Sequence, residues 1–341
     1  YLELLPKRDA EEYKSLENKI KNTLKSYSAC GYDPRGYCLD ELVGKTFIED
    51  FFNLKNKAME LAVKNFPEPK NYAQLEKIER LVHSISNRQL NLDLTNVYTA
   101  ANDNRIRKII KRYSSSPAFI HYNTFGTVTG RLSTTPSSFP ILTLNKEYRT
   151  MITPNNGVFV EFDYNAFELR VLTALLGREQ PKGDIHDWNI KNIFEDGTSR
   201  SEAKQRIFAW LYNPNSNDKL LSEKYDRKGL LKKYFSDGKI VTDFEREIEA
   251  DDYHALNYLI QSTASDLFLE QVYKVFKILE DNNAKSHVSM LIHDSVILDF
   301  DRMDYKLLNQ IKDAFKQTRY GDFKLNIQVG RTLGDLSTEW K

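Results

Sequence analysis

The spacing of apolar residues predicts that the first third of the chain is helical. Apolar positions recur every three or four residues over residues 9–29, 41–65 and 71–90, which is the period of an amphipathic helix. The pattern continues through residues 91–113, where the predicted helix becomes strongly basic. We therefore expect a helical region over residues 1–116.

The middle of the chain changes to a strand followed by an apolar helix. Residues 117–154 are rich in Thr, Ser, Pro and Gly, which is typical of short strands and turns. Residues 157–163 are apolar at almost every position, as in a strand that is buried on both faces. An apolar helix is predicted over residues 166–176, and Gly177 ends it.

Two further helices are predicted in the second half, separated by a charged segment. Ser199 and Glu202 form a capping-box pattern at the start of a helix over residues 199–212. Residues 215–250 are highly charged, and we expect them to extend outward from the core. A long helix is predicted over residues 253–280.

A tight hairpin is predicted near the carboxyl end. Residues 287–292 and 295–300 are short apolar runs of strand type, and only His293 and Asp294 lie between them. The hairpin therefore carries a carboxylate at its tip.

Composition narrows the class of protein only moderately. Hydrophobic residues make up 40% and charged residues 28% of the 341 residues, as in a soluble globular protein. No run of about 18 apolar residues occurs, so no membrane span is expected. The chain starts at Tyr1, not at Met, and we expect it to be processed or cut from a longer protein. Cys30 and Cys38 are too few for a disulfide framework, so we expect a reducing compartment.

The net charge of +1 does not by itself indicate a nucleic-acid-binding protein, but basic residues are clustered locally. A solvated helix face and a face that contacts phosphates both explain such a cluster. Its members are Arg105, Arg107, Lys108, Lys111 and Arg112.

Asp163 and Asp294 are the first candidates for chemistry. Asp163 ends one buried strand, and Asp294 lies at the tip of the hairpin. A carboxylate in apolar surroundings is costly unless it is paired, hydrogen-bonded or bound to a metal. A turn or capping role explains either residue alone, but two of them at the edges of core strands favour a divalent metal site. Mg²⁺ prefers oxygen ligands, and two ions about 4 Å apart can activate a hydroxyl and stabilise a leaving group.

The helix over residues 199–212 carries a second candidate site. Each step of four residues advances about 400° around a helix, so neighbours in such a row are offset by about 40°. Two cations followed by two aromatic rings suit a triphosphate and a base. Two solvated cations beside two core aromatics remain the alternative. The row consists of Arg200, Lys204, Phe208 and Tyr212.

Six segments, in order over residues 117–341, resemble those of family A DNA polymerases, the bacterial DNA polymerase I type. DYNAFELR at residues 163–170 resembles the family's first motif, DYSQIELR. The row on the 199–212 helix is similar to the second motif, and IHDS at residues 292–295 resembles the third, which usually ends His-Asp-Glu. The other three are TGRLS at 129–133, DIH at 184–186, and residues 257–266, which resemble the family's AINAPIQGTAAD helix.

This resemblance implies an α+β right-hand fold. Residues 1–116 would form a helical region with the thumb, residues 186–250 helical fingers, and residues 117–185 and 251–341 an antiparallel palm. The implied activity is template-directed DNA polymerisation, which adds deoxynucleotides to a primer 3′-end by nucleotidyl transfer with two Mg²⁺ ions. The implied partners are primer-template DNA and deoxynucleoside triphosphates. We expect a monomer in the cytoplasm or wherever the replicated genome lies, with an upstream exonuclease domain or a processivity partner.

The resemblance also implies roles for residues at the catalytic centre. Asp163 and Asp294 would hold the metals, helped by the backbone carbonyl of Tyr164. Lys204 would act with the two aspartates in catalysis. Glu168 would be the steric gate against a 2′-hydroxyl.

Further residues would bind the nucleotide and the DNA. Arg200, Lys204 and His186 would contact the triphosphate, Phe208 would stack on the nucleotide, and Tyr212 would lie beside the templating position. Residues implied to read the minor groove are Arg131, Asn257 and Gln261. His293 would support the primer terminus. The thumb residues expected to contact phosphates are Arg105, Lys108 and Lys111.

One departure from the family keeps alternatives open. Ser295 stands where the family usually has Glu, as in single-subunit RNA polymerases, so the expected carboxylate count is two and not three. An RNA polymerase-like enzyme is therefore one alternative, although Glu168 and Phe208 resemble residues linked to deoxyribonucleotide choice. A catalytically silent nucleic-acid-binding module is the other, and the retention of Asp163 and Asp294 argues against it.

Overall fold

The computed structural model describes residues 2–32, 34, 37–194, 197–213, 215–216 and 218–338. The chain divides into two compact units, Tyr1–Lys70 and Asn71–Lys341. The α-helices of the described residues are α1 (Lys7–Ala29), α2 (Leu39–Leu42), α3 (Lys45–Asn65), α4 (Tyr72–Ser86), α5 (Asn104–Tyr113), α6 (Phe167–Leu175), α7 (Ile185–Asn192), α8 (Arg200–Tyr212), α9 (Lys219–Lys224), α10 (Arg227–Tyr234), α11 (Ala255–Asp281) and α12 (Leu308–Lys316).

Thirteen strands lie among these helices in the described residues. They are β1 (Asn91–Leu92), β2 (Tyr122–Asn123), β3 (Ser133–Thr134), β4 (Ile152–Thr153), β5 (Val158–Tyr164), β6 (Phe235–Ser236), β7 (Lys239–Val241), β8 (Glu247–Glu249), β9 (His287–Ile292), β10 (Ser295–Phe300), β11 (Gln317–Thr318), β12 (Gly321–Asp322) and β13 (Leu325–Gly330). Short 3₁₀ helices cover Leu2–Leu4, Leu94–Ala100, Ile141–Thr143, Lys146–Met151 and Arg302–Leu307.

The first unit is helical, as its apolar spacing predicts. Helices α1 and α3 pack together through a small cluster of their own. The rings of Tyr13 and Phe51 stack in it with centroids 5.0 Å apart, and Leu16 and Ile20 complete the buried set.

The prediction of a continuous helix over residues 91–113 is wrong. Strand β1 pairs with β4, a 3₁₀ helix follows, and α5 begins only after a break. The side chain of Asp93 accepts a hydrogen bond from the backbone N–H of Thr95, and that of Asp103 from Arg105. Each aspartate therefore caps the start of a new segment, which is what a short acidic side chain does more favourably than continuing a helix.

A four-stranded antiparallel sheet, in the order β13-β5-β10-β9, forms the centre of the second unit. The hairpin predicted around residues 293–294 joins β9 to β10. In the register of the sheet, Asp163 at the end of β5 lies opposite Ser295 on one side and Asn326 on the other. All six residues of β10 are buried, so this strand forms the middle of the core.

Helices α6 and α11 contribute buried residues to the same core as this sheet. Helix α6 starts directly after β5 through Ala166, which has a left-handed backbone (φ 48°) and so turns the chain sharply. Most of α6 is buried. The long predicted helix is α11, which packs against α4, α6 and α12.

The expectation that residues 215–250 extend outward from the core is wrong. This segment forms α9, α10 and a three-stranded antiparallel sheet of β6, β7 and β8. Many of its charged side chains are exposed, Arg246 forms an ion pair with the buried Asp266, and several apolar side chains join the main core of the unit. The buried residues include Leu221, Tyr225, Leu230, Ile240 and Ile248.

No helix over the described residues is long and apolar enough to cross a membrane. Cys30 and Cys38 are both exposed free thiols. The division into thumb, palm and fingers stays a prediction.

Candidate active site

The sheet brings Asp163 and Asp294 to one cleft of about 560 Å³. Asp163 is positioned by the end of β5, and Asp294 by the hairpin that joins β9 to β10. Both side chains are half-buried. His293 lies between the end of β9 and Asp294. Its backbone is left-handed (φ 57°), which lets the chain reverse direction within two residues.

The pKa values of both carboxyls are raised. Burial and the nearby charge of Asp294 raise the pKa of Asp163 to about 6. The pKa of Asp294 is also raised, chiefly because burial disfavours its charged form. A hydrogen bond from Asn326 Nδ2 to Asp163 Oδ2, 3.2 Å long, acts in the opposite direction on Asp163. Two carboxylates in this state are stabilised when a cation lies beside them.

The donor set at this end of the sheet fits a hard divalent cation. Carboxylate oxygens are the ligands that Mg²⁺ prefers, and one or two of them commonly suffice when phosphates and water complete the shell. Among the described residues, no group of three or more His, Cys, Asp or Glu side chains is placed to enclose an ion, and the two-carboxylate metal site stays a prediction. The side chain of Tyr164 is buried and donates to the carbonyl of Phe315, and the role of its own carbonyl as a ligand stays a prediction.

The row of cations and rings on α8 faces the same cleft. Ser199 caps the helix by accepting a hydrogen bond from the N–H of Glu202 at 3.2 Å. The opposite side of α8 is buried through Ala203, Ile207 and Trp210. Phe208 and Tyr212 are half-buried and pack against the core, so the alternative of two core aromatics stays open.

Within the row, neighbouring side chains contact one another. Lys204 Nζ lies 5.7 Å from the centre of the Phe208 ring. The Phe208 and Tyr212 rings are parallel, with centroids 5.8 Å apart. Arg200, Lys204 and Phe208 line the cleft that contains both aspartates.

Arg200 is held by an acidic residue whose role the sequence did not reveal. Its guanidinium lies 2.9 Å from Asp184 Oδ2 and 3.7 Å from Asp187 Oδ1. Asp184 also caps α7 by accepting from the N–H groups of His186 and Asp187. Burial alone would raise the pKa of Asp184, but the hydrogen bonds from Arg200 and Asn165 hold it well below its usual range.

Asn165 connects this capping aspartate to a buried arginine. Its Nδ2 donates to Asp184 Oδ2 at 2.8 Å, and its Oδ1 accepts from Arg170 at 3.1 Å. Arg170 is fully buried and also donates to the carbonyls of Pro181 and Gly183. Asp184 stands in the DIH segment directly before an apolar helix, and that N-cap position is the signal that could have identified it.

His186 lines the cleft and is buried. Its Nδ1 has no hydrogen-bond partner among the described residues. Burial lowers its pKa, and the charge of Asp184 opposes this only in part.

Glu168 holds two other predicted site residues. One of its carboxylate oxygens accepts from Arg131 and the other from the hydroxyl of Tyr212. The Glu168 side chain is 12% exposed and lines the cleft. The loop that carries Arg131 is fixed to α11, because Ser265 Oγ donates to the carbonyl of Gly130 at 2.8 Å.

The remaining DNA-binding candidates lie away from the two aspartates or point to solvent. His293 is exposed at the tip of the hairpin and lines the cleft. Gln261 Nε2 donates to Asn257 Oδ1 at 2.6 Å on α11, and neither side chain is part of the cleft lining in the described residues. On α5 the candidates Arg105, Lys108 and Lys111 are exposed, opposite the buried Ile106 and Ile109.

Comparison with known proteins gives several relatives, although no protein-family model matches. The chain is 23% identical over 318 residues to DNA polymerase I of Borreliella burgdorferi, covering 77% of this chain and 34% of that protein. It is 27% identical over 229 residues to the thermostable DNA polymerase I of Thermus aquaticus, covering 52% and 27%. It is 25% identical over 291 residues to the DNA polymerase of Bacillus phage SP01, covering 63% and 31%.

A solved structure matches the fold over almost the whole chain. The polymerase domain of Pol1 from M. smegmatis, in complex with DNA primer-template and dNTP, superposes with a TM-score of 0.54 at 14% identity. The match covers 98% of this chain and 67% of that one. The resemblance to family A polymerase domains is confirmed. The α+β right-hand fold is confirmed with it, while the chain spans about a third of the length of the Borreliella relative.

Proposed function

We propose that the chain is the polymerase portion of a template-directed DNA polymerase. The observation that carries the proposal is a single cleft in which two half-buried aspartates face a helix that presents two cations and an aromatic ring. The family resemblance supplies the reaction, which is transfer of a nucleotidyl group from a deoxynucleoside triphosphate to a primer 3′-end.

Asp163 and Asp294 would hold divalent metal, for which we propose two Mg²⁺ ions, with the Tyr164 carbonyl as a further oxygen ligand. Bound there, the metal supplies charge stabilisation for the attacking and leaving oxygens. The raised pKa values of the two carboxyls support this role, because burial disfavours their charged forms and a bound cation offsets that cost.

The α8 row would bind the incoming nucleotide. Arg200 would leave Asp184 to contact the triphosphate, and Asp184 would keep its bonds from Asn165 and the N-terminus of α7. Lys204 would neutralise the phosphate charge as pyrophosphate leaves, and we propose it as the third catalytic residue on this basis. Phe208 would stack on the nucleotide.

Three more residues complete the proposed nucleotide pocket. His186 would contact the triphosphate, since it lines the cleft. Glu168 would exclude a 2′-hydroxyl, and its bonds to Tyr212 and Arg131 hold its carboxylate in the cleft. Tyr212 would lie beside the templating position.

Contacts to primer-template DNA remain a separate part of the proposal. Arg131 would reach the minor groove at the primer end, and His293 the primer terminus. Residues assigned to the duplex away from the cleft are Asn257, Gln261, Arg105, Lys108 and Lys111. We also propose a monomer that works with an upstream exonuclease domain or a processivity partner.

An RNA polymerase-like activity is the second candidate, because Ser295 gives this chain the His-Asp-Ser ending. Primer extension on a templated duplex distinguishes the two. We expect extension with deoxynucleotides only when Mg²⁺ is present, and much weaker extension with ribonucleotides. Preferential use of ribonucleotides would contradict the DNA polymerase assignment, and binding of the duplex with no extension by either would favour the silent module.

A further inference from the structure

Ser295 makes a contact that bears on the missing third carboxylate. The family segment usually ends His-Asp-Glu, and in this chain the serine hydroxyl donates to Glu161 Oε1 at 2.8 Å. Ser295 therefore has no carboxylate of its own, but its hydroxyl binds the carboxylate of Glu161 on the neighbouring strand β5.

The sheet places Glu161 on the same face as Asp163. The two residues are separated by one position on β5, and side chains two apart in a strand point to the same side. Ser295 lies directly opposite Asp163 and diagonal to Glu161, which pairs with Ile297. The Glu161 side chain is half-buried.

Lys146 and Arg149, both in the 3₁₀ helix Lys146–Met151, interact electrostatically with the carboxylates of this face. The charge of Glu161 acts on Arg149, whose Nε donates to the carbonyl of Leu144. The charge of Lys146 acts on Asp163. The contact that the structure shows for the Glu161 carboxylate is the hydrogen bond from Ser295. A role only as distant counter-ion of Arg149 is the competing explanation.

We propose that Glu161, held on β5 by the hydrogen bond from Ser295, adds negative charge next to the metal site, where this chain lacks the usual Glu of the His-Asp-Glu segment. This inference rests on the proposed function. Glu161 does not join Asp163 and Asp294 in one closed ligand set among the described residues. It acts as a positioning residue, which adds negative charge beside the two metal-binding carboxylates and fixes the end of β10 through Ser295.

The test is the affinity of the unliganded protein for Mn²⁺, read from the electron paramagnetic resonance signal of free Mn²⁺ without DNA or nucleotide. Residues that support metal ligands typically affect affinity by about 10- to 100-fold when they are replaced. We expect Glu161→Gln to raise the Mn²⁺ Kd within this range. Glu179→Gln is the matched control, because Glu179 is exposed and does not line the cleft of Asp163 and Asp294.

Exchanging the residues at positions 161 and 295 tests whether Glu161 acts on metal binding or only on the stability of the fold. The double variant Glu161→Ser with Ser295→Glu puts the carboxylate on β10 and should restore most of the lost affinity. If Glu161 only balances Arg149, Glu161→Gln should lower the unfolding temperature and leave the Mn²⁺ Kd unchanged. That result overturns the inference, as does a folded exchange variant with no recovery. Should Glu161→Gln fail to fold, the exchange variant decides alone by the same criterion.

Failure of the inference is distinguishable from failure of the proposed function. If the unmutated chain extends no primer, the polymerase assignment fails, while Mn²⁺ binding still reports on Glu161. If Asp163→Asn abolishes extension and Glu161→Gln changes neither Mn²⁺ affinity nor the Mg²⁺ dependence of extension, the polymerase assignment stands and Glu161 is not part of its metal site.

Discussion

Replacement of Asp163 by Asn should stabilise the metal-free protein at neutral pH. Burial and the charge of Asp294 raise the pKa of Asp163 from 3.8 to about 6. A folded-state pKa above that of the unfolded chain means that the folded protein binds more protons between these values, so its stability falls as pH rises through that window. The loss is complete above about pH 6 and is absent below about pH 4.

The size of the effect follows from the same pKa difference. A difference of one between folded and unfolded pKa corresponds to about 1.4 kcal/mol, which gives a penalty of about 3 kcal/mol for Asp163 at pH 8. Water in the open cleft screens a half-buried group, so we expect about 1–2 kcal/mol. Asn keeps an acceptor for the hydrogen bond from Asn326 and carries no charge to be buried.

Urea unfolding in chelator between pH 4 and pH 8 measures the effect. Asp163→Asn should match the unmutated chain near pH 4 and exceed its stability at pH 8, and added Mg²⁺ should stabilise only the unmutated chain. Asp252→Asn, at an exposed position, is the control and should change neither result. An Asp163→Asn variant that is equally or less stable at pH 8 would refute the view that this carboxylate is strained in the absence of a cation.

Three other predictions concern the substrate and the DNA. Asp184→Asn keeps the helix cap but weakens the ion pair with Arg200, which is partly exposed and contributes up to about 1 kcal/mol. Because Arg200 is then freer to bind the triphosphate, the KM for deoxynucleotides should fall by about threefold to fivefold. A raised KM in steady-state extension would mean that Asp184 orients Arg200 toward the substrate. Glu168→Ala should raise the ratio of ribonucleotide to deoxynucleotide kcat/KM by about tenfold, which corresponds to about 1.4 kcal/mol; an unchanged ratio would exclude Glu168 as the gate. Neutralising Lys108 and Lys111 together should reduce the log–log salt slope of duplex binding by about two; an unchanged slope would return them to a solvated helix face.

The parts of the fold that follow from local pattern were predictable. Strand β5 was predicted because it is an apolar run of strand length. The β9–β10 hairpin was predicted because two such runs are separated by only two polar residues, which is typical of a tight turn between paired strands. Helix α8 was predicted because its cap and its period agree. The break before α5 was not predicted, because the apolar spacing over residues 91–113 matches one continuous helix. Asp93 and Asp103 cap separate segments within this range, and their capping role was not recognised in the sequence.

The sequence predicted residues of the site only where they belong to one of the family motifs. The motifs identified Asp163, Asp294 and the α8 row, which the fold brings to one cleft. Contacts set by strand register were not visible, because Asn326 meets Asp163 only through the pairing of β13 with β5, far apart in sequence. The hydrogen bond between Ser295 and Glu161 depends on register in the same way.

Primer extension by Asp163→Asn and Asp294→Asn tests the central claim most directly. With Mg²⁺ and deoxynucleotides, the unmutated chain should extend a primer, and each variant should lose about 10²–10⁴ in rate, since a metal ligand supports several kcal/mol of charge stabilisation. Binding of the primer-template duplex should persist in both variants. Near-normal extension by either variant would contradict the assignment of these two aspartates as the metal-binding pair of a polymerase.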